Sequence, residues 1–211
     1  MASSEPSPRK PENPVFWIVA GPNGCGKSTF YNRTDIEGWG GSVWIINPDL
    51  LARRIADQEG EDIQTANRFA VERMEVWLAS SIEVHQTIGV ETVLSTGKYR
   101  RLVKKAQLRG FEVRLVYVFV RDLAEQNRRI VARELAGGHH VPPEKVASRR
   151  ERSFSQLAWF LRKCDTAYVF DNSGSKMKMA VQKPRGQTCK KLTRLPDDMT
   201  QILRQHGLHL T

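Results

Sequence analysis

The sequence predicts an α/β fold of the P-loop NTPase type, a parallel sheet covered by helices on both faces. Three observations lead there. Short apolar runs rich in β-branched and aromatic residues alternate with segments of helical periodicity, the pattern of parallel strands joined by crossover helices. The first run feeds a glycine-rich loop, Gly21-Pro22-Asn23-Gly24-Cys25-Gly26-Lys27-Ser28, that opens a helix. The length, 211 residues with 40% hydrophobic side chains, suffices for one such domain with its own core and is short for two.

Taken in order, residues 1–14 are polar and proline-rich, lack the apolar stretch of a signal peptide, and read as a disordered leader. Residues 15–20, Val-Phe-Trp-Ile-Val-Ala, form the first strand, and a helix starts at Ser28 after the loop. Residues 42–47 form a second strand stopped by Pro48-Asp49. Residues 50–89 turn helical, with Ala66, Ala70, Trp77, Leu78 and Ile82 on one face and Glu72, Arg73, Glu75 and Glu83 mostly elsewhere. A third strand covers 90–95, and a basic helix over 99–109 closes at Gly110. Residues 111–120 carry the strongest strand signal. A helix over 123–136, a Gly-Gly-His-His-Val-Pro-Pro loop and a helix over 144–164 follow. Residues 166–170 form a fifth strand, ended by Asp171-Asn172-Ser173-Gly174. Residues 176–195 read as irregular and basic, or as a hairpin. No internal repeat and no second domain is visible.

No stretch of 18 apolar residues occurs, which excludes a transmembrane helix. Three cysteines, an odd number without metal-ligand spacing, suit a reducing compartment, so a cytoplasmic location is expected. The net charge of +10 is unevenly spread. Residues 1–120 hold 15 basic and 14 acidic side chains, residues 121–163 hold 10 and 5, and residues 173–211 hold 8 and 2. Charge concentrated in this way serves an anionic ligand or a solvated basic surface.

The glycine-rich loop has a direct chemical reading. Its backbone N–H groups converge on phosphate oxygens, and the helix N-terminus adds positive potential. Gly21, Gly24 and Gly26 remove side chains where the loop closes on the anion. Lys27 reaches the outer phosphates, Ser28 binds Mg²⁺, and Pro22, Asn23, Cys25 and Thr29 complete an ATP-binding segment.

Arg128, Arg129 and Arg133 precede the Gly137-Gly138 loop, and Arg149, Arg150 and Arg152 follow it. This arrangement reads as a mobile helical lid whose guanidinium forks close on the triphosphate, or as a solvent-facing basic helix pair. For the acceptor, Asp49 stands past the second strand, where ligands lie in open α/β sheets. It can take the proton of an attacking hydroxyl, cap a helix, or do both. Glu91 is a carboxylate inside an apolar strand. It orients a substrate hydroxyl, holds Mg²⁺ through water, or faces solvent from an edge strand.

Together these residues resemble the zeta toxin family. The opening Ala20 through Thr29, the Asn47-Pro48-Asp49 element and the Glu91-Thr92-Val93-Leu94-Ser95 strand are similar to that family's motifs. So are the arginine-rich run from Arg129 and Arg133 to Arg149-Arg150-Glu151-Arg152-Ser153, and the turn Asp171-Asn172-Ser173. The likeness covers residues 15–175 as a kinase domain and leaves 176–211 as a basic C-terminal extension of it. The resemblance implies a kinase that uses Mg²⁺ and ATP to phosphorylate a hydroxyl of a nucleotide sugar, UDP-N-acetylglucosamine, and that is restrained by a small antitoxin protein. By position it implies Asp49 as general base, Lys27 and Ser28 on phosphate and Mg²⁺, and Glu91, Thr92 and Ser95 at the sugar. Arg133, Arg149 and Arg152 lead the lid, ahead of Arg129 and Arg150.

Two other readings stand beside this one. The chain is a kinase for another anionic acceptor, such as a nucleoside, another UDP-sugar or a nucleic acid end, or it is a non-catalytic ATP-dependent switch. Lys176, Lys178, Lys183, Arg185, Lys190 and Lys191 would suit a polyanion. That stretch lacks interleaved aromatics to stack bases, so nucleic acid is the lesser expectation.

Overall fold

The computed structural model describes residues 13–31, 43–135 and 142–210. The leader up to residue 12, the first residue of the predicted second strand and the Gly137-Gly138 loop lie outside the described residues.

Among the described residues the sheet has seven strands: β1 (Val15–Ala20), β2 (Ile45–Ile46), β3 (Ile88–Thr92), β4 (Glu112–Phe119), β5 (Thr166–Asp171), β6 (Lys178–Lys183) and β7 (Lys190–Lys191). Their order is β2-β3-β1-β4-β5-β6-β7, parallel from β2 through β5 and antiparallel from β5 to β7. The central strands are buried along almost their whole length, so both faces must be apolar and periodicity of two disappears from their sequence.

One face packs Ile18, Leu115, Tyr117 and Val169 against α3 (Ile63–Glu83), α4 (Tyr99–Leu108), α6 (Pro143–Lys163) and α7 (Asp197–Gln205). Met74, Leu78 and Ile82, one α3 stripe at spacing four, are fully buried there. Each contributes about 1.5–3 kcal/mol by leaving water. On the other face Trp17, Val116 and Val118 pack with Phe30 of α1 (Lys27–Tyr31). Trp17 is wholly buried and carries the Arg114 guanidinium over its ring, 5.2 Å from the centroid.

The second strand is shorter than predicted, Ile45–Ile46 in place of 42–47, and at its far end Asn47 leaves the sheet to cap α2 (Pro48–Glu59). Its side chain accepts hydrogen bonds from Asp49 N (2.9 Å) and Leu50 N (3.2 Å). Pro48 fits at the first helical position, where no N–H is needed. The cap of this helix is therefore Asn47 and not Asp49. The single helical stretch predicted over 50–89 is two helices, broken at Gly60, which has φ 71°, and restarted by the Asp62 cap.

The region after residue 176 is a hairpin that extends the sheet, followed by α7, which the sequence reading leaves unassigned. Two of its basic residues have structural partners. Lys183 Nζ donates to the carbonyls of Leu161 (2.9 Å), Arg162 (3.2 Å) and Cys164 (2.6 Å), closing the C-terminus of α6. Arg185 lies 3.7 Å from the Glu112 carboxylate. Neither is a free cation waiting for a polyanion.

Candidate active site

Strands β1, β3 and β4, helix α1 (Lys27–Tyr31) and the turn after β5 meet at the C-terminal edge of the sheet to build the phosphate loop. The loop leaves β1 at Gly21, whose N–H donates to Thr92 O at 3.2 Å, and enters α1 at Lys27. Gly21 has φ 142°, and a Cβ there would sit 2.0 Å from Val118 O, so the sheet itself demands glycine. Gly26 has φ 92°, and its Cβ would fall 2.3 Å from Asn172 Nδ2. That amide donates to Cys25 O at 2.9 Å, so the turn after β5 clamps the loop from the side. Burial pushes the Cys25 thiol above its ordinary pKa, which keeps it protonated inside the loop.

A cavity of about 270 Å³ opens above the loop. Its lining includes Gly24, Gly26, Lys27, Ser28 and Thr29 from the loop, Glu91 from β3, Arg129 and Arg133 from α5 (Leu123–Leu135), and Asn172. Lys27 Nζ donates to Gly21 O (2.8 Å) and Pro22 O (3.2 Å) and lies 3.8 Å from Glu91 Oε1. Glu91 Oε2 also accepts from Ser28 Oγ at 3.2 Å and from Asn47 Nδ2 at 2.9 Å. Strand β3 lies between β2 and β1, so Glu91 is not the solvent-facing edge residue that was one expectation for it. It is a partly buried carboxylate beside the lysine and the hydroxyl of the loop.

The match to known proteins follows this geometry. A family model described as an AAA domain matches residues 16–157. The chain belongs to this AAA domain family. No curated protein matches its sequence. Among solved structures the fold recurs in the AvrRxo1-ORF1:-ORF2 complex with ATP, at 18% identity and a TM-score of 0.64, covering 83% of this chain and 60% of that one. It recurs in the PezAT chromosomal toxin-antitoxin system of Streptococcus pneumoniae, at 17% identity and a TM-score of 0.57, covering 78% and 72%. A third likeness is to the Pnkp1/Rnl/Hen1 RNA repair complex, at 13% identity and a TM-score of 0.54, covering 72% and 48%. The chain thus spans 60% of the first of these proteins. At these identities the likeness is one of fold alone, the P-loop NTPase-type sheet that the motifs pointed to.

The remaining predicted residues of the AAA domain fall in four places, α2, the end of β3, α5 and α6. Asp49 is exposed in the first turn of α2, next to the Asn47 cap. Asn47 therefore ties the Asp49 backbone to the Glu91 carboxylate through one side chain. Thr92 ends β3 with its hydroxyl accepting from Leu94 N at 3.0 Å, and Ser95 is half-buried in the loop beyond it. Arg133 is exposed at the mouth of the phosphate cavity.

Arg149 and Arg152 stand on one flank of α6, half-buried and exposed respectively, and form no ion pair among the described residues. They do not line the phosphate cavity. Ser153, on the same helix, donates to Val93 O at 2.7 Å, which docks that part of α6 on the segment after β3.

Arg150 is not a lid arginine. It is 3% exposed and donates to Val120 O (2.7 Å), Gln126 Oε1 (2.9 Å), Arg121 O (2.9 Å) and Asp198 Oδ2 (3.1 Å). Its plane also covers Phe154, 4.6 Å from the ring centroid. Arg129, set behind the others in the sequence reading, does line the cavity, held by Glu125 (2.9 Å) and by Asn172 O (2.9 Å).

Asn47 and Asn172 are site residues to which the sequence reading gave no role of their own. Their signal was membership of the Asn47-Pro48-Asp49 and Asp171-Asn172-Ser173 motifs, each at the sheet edge where ligands bind. Among the described residues no group of three or more His, Cys, Asp or Glu side chains is arranged to hold a metal, and no helix is long and apolar enough to cross a membrane.

Proposed function

We propose that this AAA domain protein is an ATP-dependent kinase that phosphorylates a hydroxyl of a nucleotide sugar, UDP-N-acetylglucosamine in the first instance. The observation that carries the reading is the chain of contacts Lys27–Glu91–Ser28 and Glu91–Asn47, which joins the phosphate loop to the α2 turn bearing Asp49. A P-loop that only switched a partner would use Glu91 for Mg²⁺ but would leave Asp49, exposed beside the Asn47 cap, without a chemical task.

The residues divide the work as follows. The loop amides and Lys27 take the β- and γ-phosphates, with Lys27 exchanging its two carbonyl partners for phosphate oxygens. Arg129 and Arg133 put two cations over the same cavity, and Arg149 and Arg152, which lie outside its lining, would add theirs only by a movement of α6 toward it. Asp49 accepts the proton of the acceptor hydroxyl as its oxygen attacks the γ-phosphorus. The bond to the β,γ-bridging oxygen breaks, and ADP leaves with that electron pair. Thr92 and Ser95 line the acceptor side of the β3 terminus.

Ser28 and Glu91 fit Mg²⁺, since a hydroxyl and a carboxylate 3.2 Å apart are hard oxygen donors and leave room for phosphate oxygens and water. When bound, the ion neutralises charge growing on the phosphates. An antitoxin partner accords with the toxin-antitoxin system that shares this fold, and a cytoplasmic setting accords with three free cysteines.

The test is incubation with Mg-ATP and a panel of nucleotide sugars, read by mass spectrometry for an added phosphate. Phosphorylated UDP-N-acetylglucosamine is expected. Phosphate on a different acceptor, such as a 5′-hydroxyl oligonucleotide, would keep the kinase and refute the substrate. Lys27→Ala should weaken ATP binding, whereas Asp49→Ala should leave binding intact and abolish transfer. Full turnover in Asp49→Ala would remove the base assignment.

A further inference from the structure

A second cavity, of about 400 Å³, lies between edge strand β2 and helices α2 and α3. Trp44, Trp77 and Leu50 form much of its wall, with Asn47 and Arg54 as its polar lining. The two indoles meet edge to face, centroids 5.4 Å apart at 79°. They remain 65% and 38% exposed, and Leu50 is 53% exposed. Among the described residues no carboxylate lines the cavity, and the one charged residue is an arginine.

Three features say what belongs there. Asn47 lines this cavity and also donates to Glu91, which accepts from Ser28, so a ligand filling it reaches the phosphate loop along one side chain. Trp44 stands three residues before Asn47, about 10 Å along an extended chain, a separation that a ribose diphosphate spans. An open indole face beside a guanidinium suits a ligand with a planar end and an anionic middle.

We propose that this cavity is the nucleobase subsite of the acceptor. The base stacks on Trp44 with Trp77 bracing it edge-on, and Arg54 takes a phosphate of the acceptor's diphosphate. This rests on the nucleotide-sugar reading above and adds to it where the uridine end lies and which residues select it.

The test is calorimetric titration of UDP into the protein saturated with a non-hydrolysable ATP analogue and Mg²⁺, so that the phosphate loop is already filled. Wild type is compared with Trp44→Ala, Trp77→Ala and Arg54→Gln, and ATP-analogue affinity is measured for each. Trp44 is mostly solvent-exposed, so its loss leaves the fold intact. UDP should bind wild type, and Trp44→Ala should weaken it about 5- to 100-fold, the range of one base–aromatic stack, with nucleotide-loop affinity unchanged. The KM for the nucleotide sugar should rise in step while that for ATP stays put.

Equal UDP affinity in wild type and both tryptophan variants overturns the subsite even if nucleotide-sugar transfer is intact, and leaves the kinase reading standing. Absence of UDP binding to wild type, together with no transfer to any nucleotide sugar, removes both. A wild-type dimer in sedimentation that Trp44→Ala dissociates, with UDP affinity unmoved, would show the face to be an interface between copies and would also overturn the proposal.

Discussion

Arg150 offers a direct way to separate a structural arginine from a catalytic one in an arginine-rich helix. Its side chain is 4% exposed, whereas Asp198, its one ionic partner among the described residues, is 51% exposed. Replacing it by methionine keeps most of the volume and removes every donor. The carbonyls of Val120 and Arg121 and the Gln126 amide oxygen then lose their partner. Each buried acceptor left unsatisfied costs about 1–3 kcal/mol, partly recovered where water enters. The net loss expected for Arg150→Met is about 3–5 kcal/mol, the usual range when one member of a buried charged network is removed. For a chain of this length each kcal/mol moves Tm by about 2–4 °C, so the melt should fall by about 6–20 °C. Asp198→Asn, on the solvent side of the same pair, should cost less than about 1 kcal/mol. The assay is a thermal melt of both variants beside wild type, with turnover measured well below the lowest transition. A melt within about 2 °C of wild type combined with loss of turnover would refute the reasoning, because it would mean that Arg150 leaves its buried partners to act on nucleotide.

Three further outcomes are expected. Gly26→Ala places a Cβ 2.3 Å from Asn172 Nδ2 at φ 92°, and should lower ATP affinity about ten-fold or more while the melt moves by only about 1–3 kcal/mol, as titration and calorimetry would show. Glu91→Gln removes the carboxylate charge but keeps an oxygen for Ser28 and Asn47. It should raise the Mg²⁺ concentration needed for half-maximal turnover about ten-fold with little change in Tm, and an unchanged Mg²⁺ dependence would take Glu91 out of the metal's surroundings. Lys183→Met leaves three carbonyls at the end of α6 without their cation, and should cost about 1–3 kcal/mol in a denaturant melt with no effect on ATP affinity.

Much of the fold is local chemistry, and that part is legible in the chain. Residues 15–20 are apolar throughout because β1 has neighbours on both edges and packing on both faces, so its strand character needs no structure to be seen. The phosphate loop is legible for the same reason, since its amides, Lys27 and Ser28 lie within eight consecutive residues. Asn47-Pro48-Asp49 was recognised as a unit, but its meaning changed. The asparagine, and not the aspartate, caps α2, because a side-chain oxygen two or three residues before the free N–H groups is the one that reaches them.

What depends on partners far along the chain was decided only by the tertiary structure. Six neighbouring arginines look alike in sequence. Arg150 becomes a buried strut through carbonyls about 30 residues before it and a carboxylate 48 residues after it, while Arg129 reaches the loop clamp through Asn172, 43 residues away. Lys183 reads as one more cation of a basic tail until the fold brings it to the end of α6. Helix α7 went unassigned because its burial against the core, through Met199 and Leu203, exists only once α6 is in place. Composition and spacing along the chain determined that this protein has a phosphate loop on a parallel sheet. Packing decided which of its charges face the ligand, because a charge takes its role from the groups it is held against, and those are set by the fold.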